Sequence, residues 1–254
     1  MQKKFWKMHG IGNDYIYFDC FEWQPKDPAS LAITLSDRHF SVGGDGVVLI
    51  LPSSVADARM RMFNADGSEG KMCGNAIRCI GKFLYEIKEM RKPVLTVETL
   101  SGIKTLSLDV SDGVVRAVRV DMGKAELSPA RIPAKFEGER VVNAPLSVNG
   151  AEYRVTCVSM GNPHCITFVE DPYALDLEKI GPAFERHPAF PERVNTEFVR
   201  VDGRNELTMR VWERGSGETW ACGTGACAVA VAGVLGGFCD AGADITVHLR
   251  GGDL

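Results

Sequence analysis

The sequence predicts an α+β fold of two pseudo-symmetric lobes, each a mostly antiparallel sheet wrapped around a central helix. Three observations carry this. First, the chain repeats itself: Cys73 and Cys222 lie 149 residues apart (222 less 73), and the same offset relates Met60-Arg61-Met62-Phe63 to Met209-Arg210-Val211-Trp212, Glu69 to Glu218, and Gly12-Asn13 to Gly161-Asn162. One offset across four patches marks a duplicated unit. Second, clusters of strand-like segments are separated by single helices, which favours α+β over an alternating βαβ pattern. Third, polar turns rich in glycine and asparagine recur at matched places in both halves.

Residues 5–8 begin as a short strand. The turn His9-Gly10-Ile11-Gly12-Asn13-Asp14 leads into residues 15–20, whose aromatic and β-branched content predicts a strand. Residues 29–38 have helical spacing, with Leu31 and Leu35 on one face. Gly43-Gly44-Asp45-Gly46 turns the chain into a buried strand at 47–51, broken by Pro52. Residues 59–64 alternate as a strand and deliver Asn64 to the Cys73 loop. The helix over 73–90 stops before Pro93. Residues 94–99, 103–110 and 114–121 read as consecutive antiparallel strands, with Ser111-Asp112-Gly113 as a hairpin turn.

Residues 123–138 carry Pro129 and Pro133 without periodicity and predict the crossover. The second half then repeats the first. Strands are expected at 140–148, 152–159, 166–169, 194–201, 206–213 and 245–247, with Gly161-Asn162-Pro163-His164 as the polar turn. Helices are expected over 175–186 and from Cys222 onwards. The lobes are 1–123 and 124–250, and 251–254 is the start of a terminal strand, expected to be cut short.

The net charge of −4 and a pI near 5.8 argue against a nucleic-acid or anionic-membrane surface. Residues 1–10 hold Lys3, Lys4 and Lys7 but no apolar core of a secretory signal. The longest apolar run, 226–239, is too short to span a bilayer. A soluble, intracellular protein is expected. Of the eight cysteines, no two are spaced Cys-x-x-Cys, and no spacing suits a common zinc site. Cys20, Cys79, Cys157, Cys227 and Cys239 lie in apolar runs and read as small buried hydrophobes. Cys165 is similar but stands near a candidate site. No metal or cofactor is expected: Gly43 to Gly46 is not followed by Gly-Lys-Ser/Thr, and no Gly-x-Gly-x-x-Gly opens a helix after a strand.

Cys73 and Cys222 each sit in a Gly-flanked turn at a helix start. A helix N-terminus exposes unpaired N–H groups and partial positive charge. It is therefore expected to favour thiolate over thiol and to bind a carboxylate. In a pseudo-twofold arrangement the two thiols would face one cleft. One thiolate then removes a proton from carbon while the opposite thiol returns one, inverting a stereocentre. The competing explanation is a pair of structural cysteines of shared ancestry. Arg214, in Glu213-Arg214-Gly215, suits bidentate carboxylate binding; a surface ion pair is the alternative. Asn13, Asn64, Asn75, Asn162 and Asn195 stand at turns or strand ends. Each alone suits a turn, and together they suit an amino acid with ammonium and carboxylate groups at both ends. His164 is placed either to bias a thiol's ionisation or to serve structurally.

In combination, His9-Gly10-Ile11-Gly12-Asn13-Asp14-Tyr15, Phe63-Asn64-Ala65-Asp66-Gly67-Ser68, Met72-Cys73-Gly74-Asn75, Gly161-Asn162-Pro163-His164, Val194-Asn195-Thr196, Trp212-Glu213-Arg214-Gly215 and Ala221-Cys222-Gly223-Thr224-Gly225 resemble the diaminopimelate epimerase family over nearly the whole chain. The resemblance implies cofactor-free interconversion of LL- and meso-diaminopimelate, in lysine and peptidoglycan precursor synthesis in the cytoplasm. It implies Cys73 and Cys222 as the acid/base pair. Substrate contacts would come from Asn13, Asn64, Asn162, Asn195, Glu213 and Arg214, and helix-start donors from Gly74, Asn75, Gly223 and Thr224. His164 and Glu213 would modulate the thiols. A homodimer is also implied. One position departs: Gly46, the repeat partner of Asn195, stands where many members carry a substrate-contacting glutamine. The alternatives are a racemase or epimerase of another α-amino acid on this fold, and a non-catalytic amino-acid-binding protein. Proline-racemase-like relatives typically have Met-Cys-Gly-His where this chain has Asn75.

Overall fold

In the computed structural model, which describes residues 2–254, the chain divides after Asp121 into two units. The first holds strands β1 (Trp6–Gly10), β2 (Asn13–Asp19), β3 (Gly46–Leu51), β4 (Ala58–Asn64), β5 (Glu69–Gly70), β6 (Val94–Thr99), β7 (Gly102–Ser111) and β8 (Val114–Val120), and helices α1 (Pro28–Ser36) and α2 (Gly74–Glu86). Its sheet runs β1-β2-β3-β4-β6-β7-β8, with β5 added onto β4. Only β2·β3 and β4·β6 are parallel. A parallel pair needs a crossover, and helices supply both: α1 links β2 to β3, and α2 lies between β4 and β6.

The continuous run Val47 to Leu51 is apolar because β3 is covered on both faces. Val48 and Ile50 join the α2 core with Ile77, Ile80, Phe83 and Leu84. Val47 and Leu49 join Ile16, Phe18, Phe63 and Ala32 under α1, with Leu31 and Leu35 packed alongside. Each such fully buried side chain contributes about 1.5–3 kcal/mol of transfer free energy. Helix α2 touches β1, β2, β7 and β8, so the sheet curls around it from both ends.

The second unit holds β9 (Ala144–Val148), β10 (Ala151–Ser159), β11 (Pro163–Phe168), β12 (Asn195–Gly203), β13 (Glu206–Glu213), β14 (Gly217–Thr219), β15 (Thr246–Leu249) and β16 (Gly252–Asp253), with α3 (Leu177–Glu185) and α4 (Gly223–Leu235). Its sheet runs β16-β15-β13-β12-β11-β10-β9, with β14 added onto β13. The parallel pairs are β11·β12 and β13·β15. Pairing register follows the sequence offset. Tyr15↔Gly46 becomes His164↔Asn195, and Phe63↔Glu69 becomes Trp212↔Glu218. Even a bidentate clamp is repeated: Arg61 holds Glu69 at 2.6 and 2.9 Å, and Arg210 holds Glu218 at 2.8 and 2.9 Å. Helix α4, built mostly of Ala, Val and Gly, is apolar all round and packs on β10, β11, β12 and β15.

Several boundaries differ from the sequence expectation. The strand expected over 140–148 begins at Ala144, after Asn143 takes a left-handed φ of 51°. The helix expected over 73–90 ends at Glu86: Lys88 N–H bonds back to the Phe83 carbonyl, and Glu89 turns left-handed at φ 55°. The helix expected over 175–186 is preceded by a separate 3₁₀ turn, Pro172–Ala174, and starts at Leu177. The crossover 123–138 contains a 3₁₀ turn at Pro129–Arg131 and a bridge from Glu126 to Ser159. Cys20, Cys79, Cys157 and Cys239 are buried as expected, whereas Cys227 is half-buried.

Candidate active site

Both central helices start on a cysteine. Cys73 is the N-cap of α2 and Cys222 the N-cap of α4, each in extended backbone. Cysteine is not among the residues that cap helices best, so capping alone does not account for its presence at both starts.

In the first unit Cys73 is half-buried, and its thiol donates to Asn13 Oδ1 at 3.4 Å. Asn13 follows the tight β1–β2 turn, where Ile11 and Gly12 both have positive φ (46° and 86°). Its amide is fixed from the other side: Nδ2 donates to Asp45 Oδ2 at 2.7 Å, and Asp14 N–H donates to the same oxygen at 3.0 Å. The carbonyl end of Asn13 thus faces the α2 start, where Asn75 Nδ2 also donates to it at 3.3 Å. Asn64, at the end of β4, donates through Nδ2 to Ser68 Oγ at 3.0 Å, within its own turn.

Asp14 anchors this cluster from behind, with ion pairs of 2.6 Å to both Lys7 and Arg38. Burial works to raise its pKa, but hydrogen bonds and charge from Arg38 and Lys7 prevail and hold it at about 2, against an ordinary 3.8. A carboxylate depressed in the folded state stabilises the protein fully above its unfolded pKa and loses that contribution as pH falls through the folded one. Acid unfolding is therefore expected to draw on Asp14 between about pH 4 and pH 2. Comparing urea midpoints of the wild type and Asp14→Asn across that window checks it. A difference that does not shrink as pH falls would refute the assignment.

The second unit builds a different cluster on the same plan. Cys222 Sγ accepts from Gly225 N–H at 3.3 Å and lies 3.5 Å from Thr224 Oγ1. Asn162 Nδ2 donates to Thr224 Oγ1 at 3.3 Å, and Asn162 Oδ1 lies 3.1 Å from His164 Nε2. His164 Nδ1 in turn sits 2.6 Å from Glu197 Oε1, both side chains fully buried. Thr219 Oγ1 donates to the Glu213 carboxylate, which is turned inwards beside Cys222.

The electrostatics of this cluster correct a sequence expectation. The helix start was expected to favour the Cys222 thiolate. Instead burial, then the charges of Glu213 and Glu197, push the thiol's pKa well up, outweighing the bonds from Thr224 and Gly225 N–H that act in the other direction. Burial also raises Glu213. The largest charge effects on the thiol come from Glu213 and Glu197.

Other expected site residues stand one step back. Asn195 is buried and bonded at both ends: Nδ2 donates to the Pro163 carbonyl at 2.8 Å, and Oδ1 accepts from Arg214 N–H at 2.9 Å. Arg214 is exposed and donates through Nη1 to the Glu192 carbonyl at 2.9 Å. Gly46 leaves no space for a side chain. A Cβ there would lie 2.0 Å from the Phe63 carbonyl oxygen and 3.0 Å from the Tyr15 ring, so the departure at this position is fixed by the backbone.

Three carboxylates of these clusters escaped the sequence reading. Asp45 orients Asn13. Glu197 holds His164. Glu185, buried at the end of α3, accepts from Trp212 Nε1 at 2.8 Å, Gly215 N–H at 3.2 Å and Arg193 at 3.3 Å, and so fixes the loop that carries Arg214. The one available signal was an acidic residue directly before the apolar pair Phe198-Val199 of a strand, Glu197. Among the described residues no group of three His, Cys, Asp or Glu side chains is placed to hold a metal ion. None of the described helices is long and apolar enough to cross a membrane.

A family model described as diaminopimelate epimerase matches residues 5–128 and 156–254. A diaminopimelate epimerase of Acetivibrio thermocellus is 55% identical over 251 residues, covering 99% of this chain and 89% of that protein. Another from Desulfovibrio desulfuricans is 55% identical over 257 residues, with the same coverages. Among solved structures, a probable proline racemase from Agrobacterium radiobacter with bound carbonate superposes with a TM-score of 0.70 at 17% identity, covering 99% of this chain and 83% of that one. At that identity the likeness speaks for the fold alone.

Proposed function

This chain belongs to the diaminopimelate epimerase family, and from that premise we propose that it interconverts LL- and meso-2,6-diaminopimelate without a cofactor, with Cys73 and Cys222 as the two acid/base groups. The observation that carries the reading is the duplicated helix start: each unit caps its central helix with a cysteine, backed by an asparagine from the preceding polar turn.

The chemistry follows from those parts. One sulfur, as thiolate, takes the α-proton. The electrons of the broken C–H bond move onto the α-carboxylate as negative charge. The unpaired N–H groups of a helix start suit such an anion, and preorganised donors of this kind are usually the largest electrostatic contribution to catalysis. The opposite thiol then delivers its proton to the other face of the carbon, leaving the stereocentre inverted and the roles of the sulfurs exchanged. Asn13 and Asn162, whose amides are oriented by Asp45 and His164, offer polar contacts at each helix start. Asn64 and Arg214 suit the charged groups of the distal end, with Asn195 holding Arg214 by its backbone, and Glu213, beside Cys222, would contact the substrate there and modulate the thiol. The family resemblance also carries the expectation of a cytoplasmic homodimer.

The test is proton NMR of LL-diaminopimelate with reduced protein in D2O. Loss of the α-proton signal as the meso isomer appears is expected. Folded protein with reactive thiols that exchanges another α-amino acid but not diaminopimelate would shift the assignment to that substrate.

A further inference from the structure

The two thiol clusters are not chemical copies. At the repeat offset His164 stands where the first unit has Tyr15, and Glu197 where it has Val48. Register explains how the two meet. In the parallel pair β11·β12, His164 lies opposite Asn195, and Glu197 follows two residues later, on the same face of the sheet. Glu197 is fully buried between Thr196 and Phe198, which are fully buried themselves. A carboxylate taken out of water is costly unless it is bonded, so what it bonds to is decisive. Its Oε1 lies 2.6 Å from His164 Nδ1, and its Oε2 has no hydrogen-bond partner among the described residues. The start of α4 presses on the same place: a Cβ on Gly225 would lie 2.7 Å from Glu197 Oε1 and 3.1 Å from Cys222 Sγ. Carboxylate, thiol and helix start thus share one small volume, into which any side chain at 225 would press.

We propose that Glu197 is a positioning residue of the Cys222 cluster, fixing the His164 ring against Asn162 and setting behind the thiol a buried negative charge for which the Cys73 cluster has no counterpart at the matching place. This rests on the reading of Cys222 as one of the two acid/base groups. Its consequence is that Cys222 rests as the thiol, the proton-donating member of the pair.

The titratable groups that face Cys222 and Glu197 are His164 of β11 and Glu213 of β13, beside the α4 start itself; Cys165, the next residue of β11, and Cys157 of β10 opposite it lie on the other face of the sheet, in the core with Phe198 and Trp212. Glu213 and Glu197 act on the thiol in one direction, so removing either charge favours the thiolate. Kinetics alone do not separate the two thiols, because the ratio of kcat/KM in the two directions equals the equilibrium constant at every pH. The readout must be the thiol itself.

The experiment is pH-dependent alkylation of the reduced protein with iodoacetamide, read separately on the Cys73 and Cys222 peptides by mass spectrometry. Glu197→Gln keeps an acceptor for the His164 ring and removes the charge. It is expected to move the Cys222 profile to lower pH, alkylating about three- to tenfold faster at a given pH on the rising limb, with Cys73 unchanged. A superimposable Cys222 profile would overturn the charge role. Glu197→Asp keeps the charge but draws it back from Nδ1. It is expected to retain the wild-type Cys222 profile and to lower kcat/KM in both directions by one common factor. Wild-type turnover in Glu197→Asp would overturn the positioning role, which this variant tests even if Glu197→Gln does not fold. Cys222→Ala with full turnover would instead remove the premise, an outcome independent of either Glu197 result.

Discussion

Replacing either Cys73 or Cys222 by alanine is expected to lower epimerisation by about 10²–10⁴-fold, the range that a positioned acid or base contributes. The two losses are not expected to multiply, because each turnover needs both groups and a pair that works as a unit is lost with its first member. Stability should respond differently at the two positions. Cys73 makes no side-chain capping bond, so its alanine variant is expected to unfold near the wild type. Cys222 accepts from Gly225 N–H, and alanine there leaves that donor unmet, at a cost of about 1 kcal/mol. Cys222→Ser restores the cap without the thiol, so it should recover stability but not activity. Steady-state rates in both directions, with thermal unfolding alongside, decide the matter. Either alanine variant keeping more than a tenth of wild-type turnover would end the two-thiol account.

The second large effect is expected at Gly46. Alanine there places Cβ 2.0 Å from the Phe63 carbonyl oxygen, a backbone atom held by the β3·β4 ladder. The φ of 156° adds strain that only glycine avoids. Overpacking and strain together are expected to cost about 3–5 kcal/mol, a large part of an ordinary domain's stability. A fall in melting temperature of about 10 °C or more should follow. Gly203→Ala is the control: its Cβ would meet nothing closer than 3.6 Å. Gly46→Gln is expected to be at least as damaging as Gly46→Ala. If Gly46→Ala melts within a degree or two of the control, the close approach does not constrain this residue.

Much of this was legible in the sequence because the repeat is rigid. The offset that pairs Cys73 with Cys222 also relates the strand registers, so the equivalence of Gly46 and Asn195 follows from residue numbers alone. The helix starts were readable from Cys-Gly at the head of apolar runs. What stayed hidden depends on which side chains meet across strands. Asp45 sits in a glycine-rich stretch that reads as a turn, and only the bonds that its carboxylate accepts from Asn13 Nδ2 and the Asp14 N–H show that it orients Asn13. Glu185 looks like an ordinary polar residue at the end of a helix, until Trp212 and Gly215 converge on it. The ionisation of Cys222 was misjudged for the same reason. A helix start is visible in the sequence, whereas the two carboxylates that outweigh it arrive from β12 and β13.

The shared register also bears on how the chain avoids misassembly. During folding, two sheets with matching strand order offer each incoming strand two templates, and exchange between repeats is a characteristic failure of such chains. The His164–Glu197 pair discriminates between them. If β11 docked beside β3 instead of β12, His164 would keep its face of the sheet but find Val48 where Glu197 belongs, leaving its Nδ1 buried without an acceptor. An unmet buried donor costs about 1–3 kcal/mol, enough to disfavour the wrong pairing.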